Sequence, residues 1–251
     1  MEYPMPTTYS ITITRFDSSV DAWPYGTTYD VPDDPEFAPM TALKALHWIN
    51  RHKEPIAYDY NCRRGTCGRC AMMIDGEPRL ACLYTLTGSH SLAPLKGFPV
   101  IRDLVVDKQS AYAKFVASNH SIKTLSPNDV LKPIDGAFWR ETIYPLNACR
   151  ECMCCYAGCQ ALGELKRWGS FAGPGAMQEI YLRSIDGEDR SNRIEQAVFS
   201  GLFACIQCGN CTKYCPALIK ATENIKTMMD AATEQGLKPS DDKMTNYWPM
   251  L

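Results

Sequence analysis

The sequence predicts an α+β chain: a sheet-bearing first domain, residues 1–105, followed by an all-helical second domain, residues 106–251. Three observations carry this reading. Period-two alternation of apolar and polar residues is confined to the first part, helical periods dominate from about Asp107 onward, and the cysteines fall in one loop of the first part and two runs of the second. At 251 residues the chain is long enough for two domains with real cores.

The first strand lies in TYSITITRF, where Ile11 and Ile13 alternate with Thr12 and Thr14 as in a half-buried sheet. A second short strand ends at the Pro and Asp residues of 32–35. MTALKALHWINRH places Leu43, Leu46 and Ile49 on one helical face, with Thr41 as N-cap, so this helix covers the sheet. After a loop rich in Gly and Arg, CAMMI and PRLAC flank Asp75-Gly76, a pair suited to a type I′ hairpin turn with positive φ at both centres. GFPVIRDLVV supplies a last strand. Beyond it, AYAKFVASNH, AMQEIYLRSI and IKTMMDAATEQG read as helices separated by Gly, Pro and Cys loops, which puts the domain boundary near residue 105.

Charge and composition exclude several functions. With 26 Lys+Arg against 28 Asp+Glu the net charge is -2, so no electrostatic footprint for nucleic acid is present. No apolar run reaches the ~18 residues a bilayer crossing needs, IEQAVFSGLFAC included. The start, MEYPMPTTYS, has neither a secretory nor a transit signature, so the mature chain is expected to begin near Met1. An unexported chain sits in a reducing compartment where structural disulfides are disfavoured, so its 13 cysteines call for metal.

Twelve of those cysteines form three ligand sets. Cys62, Cys67 and Cys70 occupy one short loop with the spacing C-x4-C-x2-C, and Cys82 follows on the next strand. That is the spacing of plant-type ferredoxins, whose thiolates hold a 2Fe-2S cluster. Thiolates are soft anionic donors suited to iron, and Gly65 and Gly68 permit the tight wrapping such a loop requires. Arg63, Arg64 and Arg69 either raise the cluster's potential or simply solvate the loop.

Cys149, Cys152, Cys155, Cys159 and Cys205, Cys208, Cys211, Cys215 both read C-x2-C-x2-C-x3-C, the latter followed by Pro216. In two-cluster ferredoxins the fourth Cys of a run ligates the other cluster. Crossing therefore assigns Cys149, Cys152, Cys155 and Cys215 to a 4Fe-4S cubane, and Cys159, Cys205 and Cys211 to a further cluster for which Cys208 offers a fourth thiolate. Zinc also uses C-x2-C pairs, but it leaves too many cysteines unused. Cys154 fits no run and reads as a packed thiol; His47, His52, His90 and His120 read as surface or structural histidines.

YDYNCRRGTCGRCAMMIDGEPRLAC, PLKGFPVIRDLVVD and the two runs with FAGPGAM between them resemble the iron-sulfur subunit of succinate dehydrogenase and fumarate reductase, over nearly the whole chain. The resemblance implies an N-terminal β-grasp plant-type ferredoxin domain with a 2Fe-2S cluster. It also implies an all-helical bacterial-ferredoxin-like domain with a 4Fe-4S and a 3Fe-4S cluster. No catalytic residue is expected in this chain. The implied partners are a flavoprotein with covalent FAD, which interconverts succinate and fumarate, and a membrane-anchor cytochrome b subunit, where heme b and quinone lie. The expected place is peripheral, on the cytoplasmic face of a prokaryotic inner membrane.

Two positions depart from the family. Most members lack cysteine at the position of Cys208, which leaves the terminal cluster open between 3Fe-4S by resemblance and 4Fe-4S by local spacing. After Cys159, where many members place Pro and Trp, this chain has Gln160, Ala161, Leu162 and Gly163, with Trp168 farther on; no quinone ligand is assigned. The competing readings are a soluble electron carrier or a subunit of a heterodisulfide- or thiol-linked reductase, and a zinc-stabilised interaction protein. The ferredoxin domain and PVIRDLVVD argue against the thiol-linked alternative, as does the missing cysteine-rich catalytic domain that thiol-coupled fumarate reductases append.

Overall fold

A computed structural model of the chain describes residues 8–118, 135–187 and 189–237. By its contacts the chain divides into two compact units, Met1–Lys108 with Arg150–Ala157 and Gln109–Cys149 with Gly158–Leu251.

The first unit is built on a five-stranded sheet of order β2-β1-β5-β3-β4. Strands β1 (Thr8–Arg15) and β2 (Tyr25–Pro32) pair antiparallel, with Ile11 opposite Tyr29 and Ile13 opposite Thr27. β1 then runs parallel to β5 (His90–Ala93), setting Ile13 opposite Leu92. The alternation in β1 has its expected meaning, because Ile11 and Ile13 are fully buried while Thr12 is exposed. β3 (Ala71–Ile74) and β4 (Glu77–Leu80) form the hairpin, and Asp75 and Gly76 take φ of 51° and 78°, as a type I′ turn demands.

Helix α1 (Ala42–His52) starts where Thr41 Oγ1 accepts the Lys44 N–H at 3.3 Å, and it buries Leu43, Leu46 and Ile49. Each such residue contributes about 1.5–3 kcal/mol by leaving water. GFPVIRDLVV departs from expectation: it forms a separate small hairpin, β6 (Val100–Arg102) with β7 (Val105–Val106). The break falls at Asp103, in the left-handed region with φ 46°. Its carboxylate is committed elsewhere, accepting from Arg15 Nε at 2.9 Å, Phe16 N–H at 3.2 Å and Ala57 N–H at 2.9 Å.

The second unit is helical. Helix α3 (Pro174–Ser184) contacts α2 (Gln109–Ser118), α4 (Arg193–Phe199) and α5 (Ala221–Glu234). Its Met177 and Ile180 are fully buried, as are Ile225 and Met228 of α5. Asn224 Nδ2 donates to Gln178 Oε1 at 2.8 Å, a polar tie between α5 and α3. The buried Lys114 of α2 donates through Nζ to the carbonyls of Trp168 and Phe171, fixing the loop before α3. Gly201, at φ 86°, passes so near this loop that a Cβ would meet Ser170 O at 1.9 Å. Among the described residues no helix is long and apolar enough to cross a membrane.

Candidate functional site

Cys62, Cys67 and Cys70 lie on the loop between α1 and β3, and Cys82 follows β4. The loop turns its amides toward the sulfurs. Gly65 N–H donates to Cys82 Sγ at 3.2 Å, Thr66 N–H to Cys62 Sγ at 3.2 Å, Cys67 N–H to Cys62 Sγ at 3.3 Å and Cys62 N–H to Cys67 Sγ at 3.4 Å. Left-handed backbone at Arg63, Gly65 and Gly68 makes this possible, forming the kind of concave nest that binds anionic groups. A Cβ at Gly65 would stand 2.6 Å from Cδ1 of the exposed Leu83, whose side chain can turn away, whereas one at Gly68 would stand 2.3 Å from Arg150 O, a backbone atom, so Gly68 admits no side chain.

Electrostatics separates the four thiols. Hydrogen bonds, led by that from Thr66, bring Cys62 down to about 5, whereas burial pushes Cys70 up to about 12. Four soft sulfur donors fit the cationic iron core of a 2Fe-2S cluster, with the N–H donors offsetting the thiolate charge. Two of the three flanking arginines engage neighbours instead: Arg63 stands over the Tyr60 ring at 5.6 Å and Arg69 reaches Asp59 at 3.6 Å.

The two C-x2-C-x2-C-x3-C runs share a backbone device. Glu151 and Met153 flank Cys152 with φ of 47° and 66°; Gln207 and Gly209 flank Cys208 with φ of 56° and 83°. A non-glycine residue in this region costs roughly 1–2 kcal/mol, so the same strain at Glu151 and Gln207 marks a conformation the surroundings impose. A short helix follows each, Cys154–Ala157 and Asn210–Lys213. Of the second ligand set, Cys152 and Cys155 belong to the first unit, Cys149 and Cys215 to the second, where Ile219 N–H donates to Cys215 Sγ at 3.4 Å. Cys154 is fully buried; its hydrogen bond to Cys152 brings Cys152 down to about 7 and raises Cys154 itself well above an ordinary thiol.

Cys159, Cys205, Cys208 and Cys211 line one concavity in the second unit, walled by Phe171 and Ile225. Gln207 donates twice to Cys205 Sγ, from its N–H at 3.4 Å and its side-chain amide at 3.6 Å, and the Thr222 hydroxyl lies 3.3 Å from Cys211 Sγ. Burial pushes Cys159 up to about 11 and raises Cys205 and Cys211, and the charge of Cys208 adds to all three shifts. Such sulfurs keep their charge only beside a cation, and an iron cluster supplies one. Among the described residues no group of three or more His, Cys, Asp or Glu side chains is arranged to hold a single metal ion.

Gln207 and Thr222 lie beyond the reach of the sequence reading. Nothing in a spacing rule marks a polar donor beside a ligand, although Gln207 sits inside the motif. The histidines are placed structurally: His47 Nδ1 pairs with Tyr58 OH at 2.8 Å, His52 Nδ1 lies 2.9 Å from Trp48 O, and His90 Nδ1 lies 2.6 Å from Asp75 Oδ2. His120 lies outside the described residues.

Two family models match the chain: a 2Fe-2S iron-sulfur cluster binding domain over residues 10–113 and a 4Fe-4S dicluster domain over residues 145–219. The chain is 30% identical to the fumarate reductase iron-sulfur subunit of Mycobacterium tuberculosis, over 90% of this chain and 93% of that protein. It is likewise 30% identical to one of the subunits of the fumarate reductase (CoM/CoB) of Methanothermobacter marburgensis, over 92% of this chain but 46% of that one. It spans less than half the length of the archaeal relatives it matches. A chain of the Mycobacterium smegmatis Sdh1 complex in the apo form aligns with TM-score 0.79 at 25% identity, over 97% of this chain and 99% of that chain. With cluster-binding domains of both kinds in one chain and relatives matched end to end, the chain belongs to the family of fumarate reductase and succinate dehydrogenase iron-sulfur subunits.

Proposed function

We propose that this chain is the electron-transfer subunit of a membrane-bound succinate dehydrogenase or quinol:fumarate reductase, relaying electrons between the FAD of a flavoprotein and quinone or heme in a membrane anchor. The carrying observation is that one chain holds a thiol loop ringed by N–H donors and a second, four-cysteine concavity, each built on left-handed backbone. Iron-sulfur clusters, when bound, exchange single electrons at potentials set by their ligands and surroundings.

The chain's own residues hold and tune those clusters. Cys62, Cys67, Cys70 and Cys82 are the 2Fe-2S ligands; Cys149, Cys152, Cys155 and Cys215 are those of a 4Fe-4S cluster; Cys159, Cys205 and Cys211 serve the terminal cluster. Gly65, Thr66 and Gln207 offset negative charge on the sulfurs, and Phe171 and Ile225 give the terminal set an apolar wall. The first unit is a β-grasp plant-type ferredoxin domain and the second a helical bacterial-ferredoxin-like domain, with the sequence boundary near residue 105. The dicarboxylate site lies in the flavoprotein, which carries covalent FAD; a cytochrome b anchor keeps this subunit on the cytoplasmic face of a prokaryotic inner membrane.

Purification of the native protein from membranes tests this reading. A flavoprotein and a heme-bearing anchor should accompany it, with iron and acid-labile sulfide, and succinate should reduce the clusters. A zinc-bearing chain free of labile sulfide refutes it. The match to the CoM/CoB-type fumarate reductase over 92% of this chain favours a second reading, a thiol-linked reductase or soluble carrier. In that case low-molecular-weight thiols, and not quinol, should reduce the clusters.

A further inference from the structure

We infer that Cys208 is the fourth thiolate of the terminal cluster, which is a complete 4Fe-4S cubane and not a 3Fe-4S cluster. The inference rests on the iron-sulfur reading above and extends it by one ligand.

Three independent observations carry it. Cys208 lines the same concavity as Cys159, Cys205 and Cys211, so four thiols and not three face one space. Its local backbone repeats that of Cys152, with left-handed residues immediately before and after it in both runs. Cys152 belongs to a set of four, and Cys208 occupies the same position in its own run.

The other cysteine left over by the eleven-ligand count is of a different kind. Cys154 is fully buried, hydrogen-bonded to Cys152, and set inside a helical turn, where it packs as a small apolar side chain. Cys208, by contrast, is exposed at the rim of the concavity. Cys208 is thus not packed away as Cys154 is; its thiol shares one space with three others. The cubane therefore has three buried or half-buried corners and one open corner, held by Cys208.

The test is EPR together with Mössbauer spectroscopy on the full-length chain with its clusters, purified without oxygen. Oxidised wild type should lack the near-isotropic EPR signal of a 3Fe-4S cluster, since a 4Fe-4S cluster in its 2+ state is diamagnetic. Cys208→Ala should lose one iron per chain and gain that signal, with the 2Fe-2S spectrum unchanged. Cys208→Ser, which keeps an oxygen ligand, should retain the cubane at a shifted potential. A stoichiometric 3Fe-4S signal in the anaerobic wild type, unaltered by Cys208→Ala, overturns the inference while leaving the relay reading intact. A chain devoid of iron and labile sulfide overturns both. Should the alanine variant fail to fold, the wild-type Mössbauer spectrum alone decides.

Discussion

Gly68→Ala should damage the first unit well beyond the cost of backbone strain. Gly68 sits at φ 69°, where alanine costs roughly 1–2 kcal/mol. A Cβ there also meets Arg150 O at 2.3 Å and Cys152 Cβ at 2.8 Å, contacts that a backbone carbonyl cannot relieve by rotating a side chain. Forced overpacking adds about 1–3 kcal/mol, for a total of about 2–5 kcal/mol. Gly76 provides the control: it has φ 78°, but nothing lies within 4 Å of its missing Cβ, so Gly76→Ala carries the strain alone.

The readout is the temperature at which cluster absorbance bleaches, with midpoints compared between variants because tightly bound cofactors spoil two-state analysis. At about 2–4 °C per kcal/mol for a chain of this size, Gly76→Ala should lower the midpoint by a few degrees and Gly68→Ala by roughly twice that or more. Equal shifts for the two substitutions would falsify the claim that segment 150–152 presses on the loop at Gly68.

Asp103→Ala leaves the half-buried Arg15 with Glu54 as its remaining carboxylate partner and two backbone amides without an acceptor, and should cost about 1–3 kcal/mol in denaturant unfolding. A loss below about 1 kcal/mol would show that the network is dispensable. Thr41→Ala removes the cap on Lys44 N–H and should cost about 1 kcal/mol, measured the same way. Burial, followed by the charges of Arg63 and Arg51, holds His47 below its usual 6.5, so the unfolded chain binds the proton first. Stability should therefore be fully present above pH 6.5 and fall as pH drops below it. His47→Asn should flatten that acid limb; an unchanged limb means His47 is not its source. Gln207→Ala removes the side-chain donor 3.6 Å from Cys205 Sγ while leaving the backbone one, and should lower the terminal cluster's potential in a redox titration.

Much of this is legible in the sequence, and the reasons are physical. The β1 alternation, the Thr41 cap and the Asp75-Gly76 turn are local signals, each fixed by one residue's geometry or by solvent on one face. The cysteine runs are legible because ligand spacing is a property of the chain itself. The GFPVIRDLVV segment misleads because Asp103 answers to Arg15, Phe16 and Ala57, partners that no local pattern can reveal. Gln207 and Thr222 are invisible for the same reason: donors to sulfur are set by tertiary proximity, and Thr222 reaches Cys211 from another element. The role of Gly68 in admitting Arg150 depends on a contact between positions far apart in the chain.

Residues 150–157 join the first unit although Gln109–Cys149 of the second come between. A protein is made from its amino terminus onward, and a domain can close only when its last piece has left the ribosome. Here that piece is Ala157, made well after β7, so the face of the loop at Gly68, against which Arg150 and Cys152 pack, stays uncovered while Gln109–Cys149 are being made.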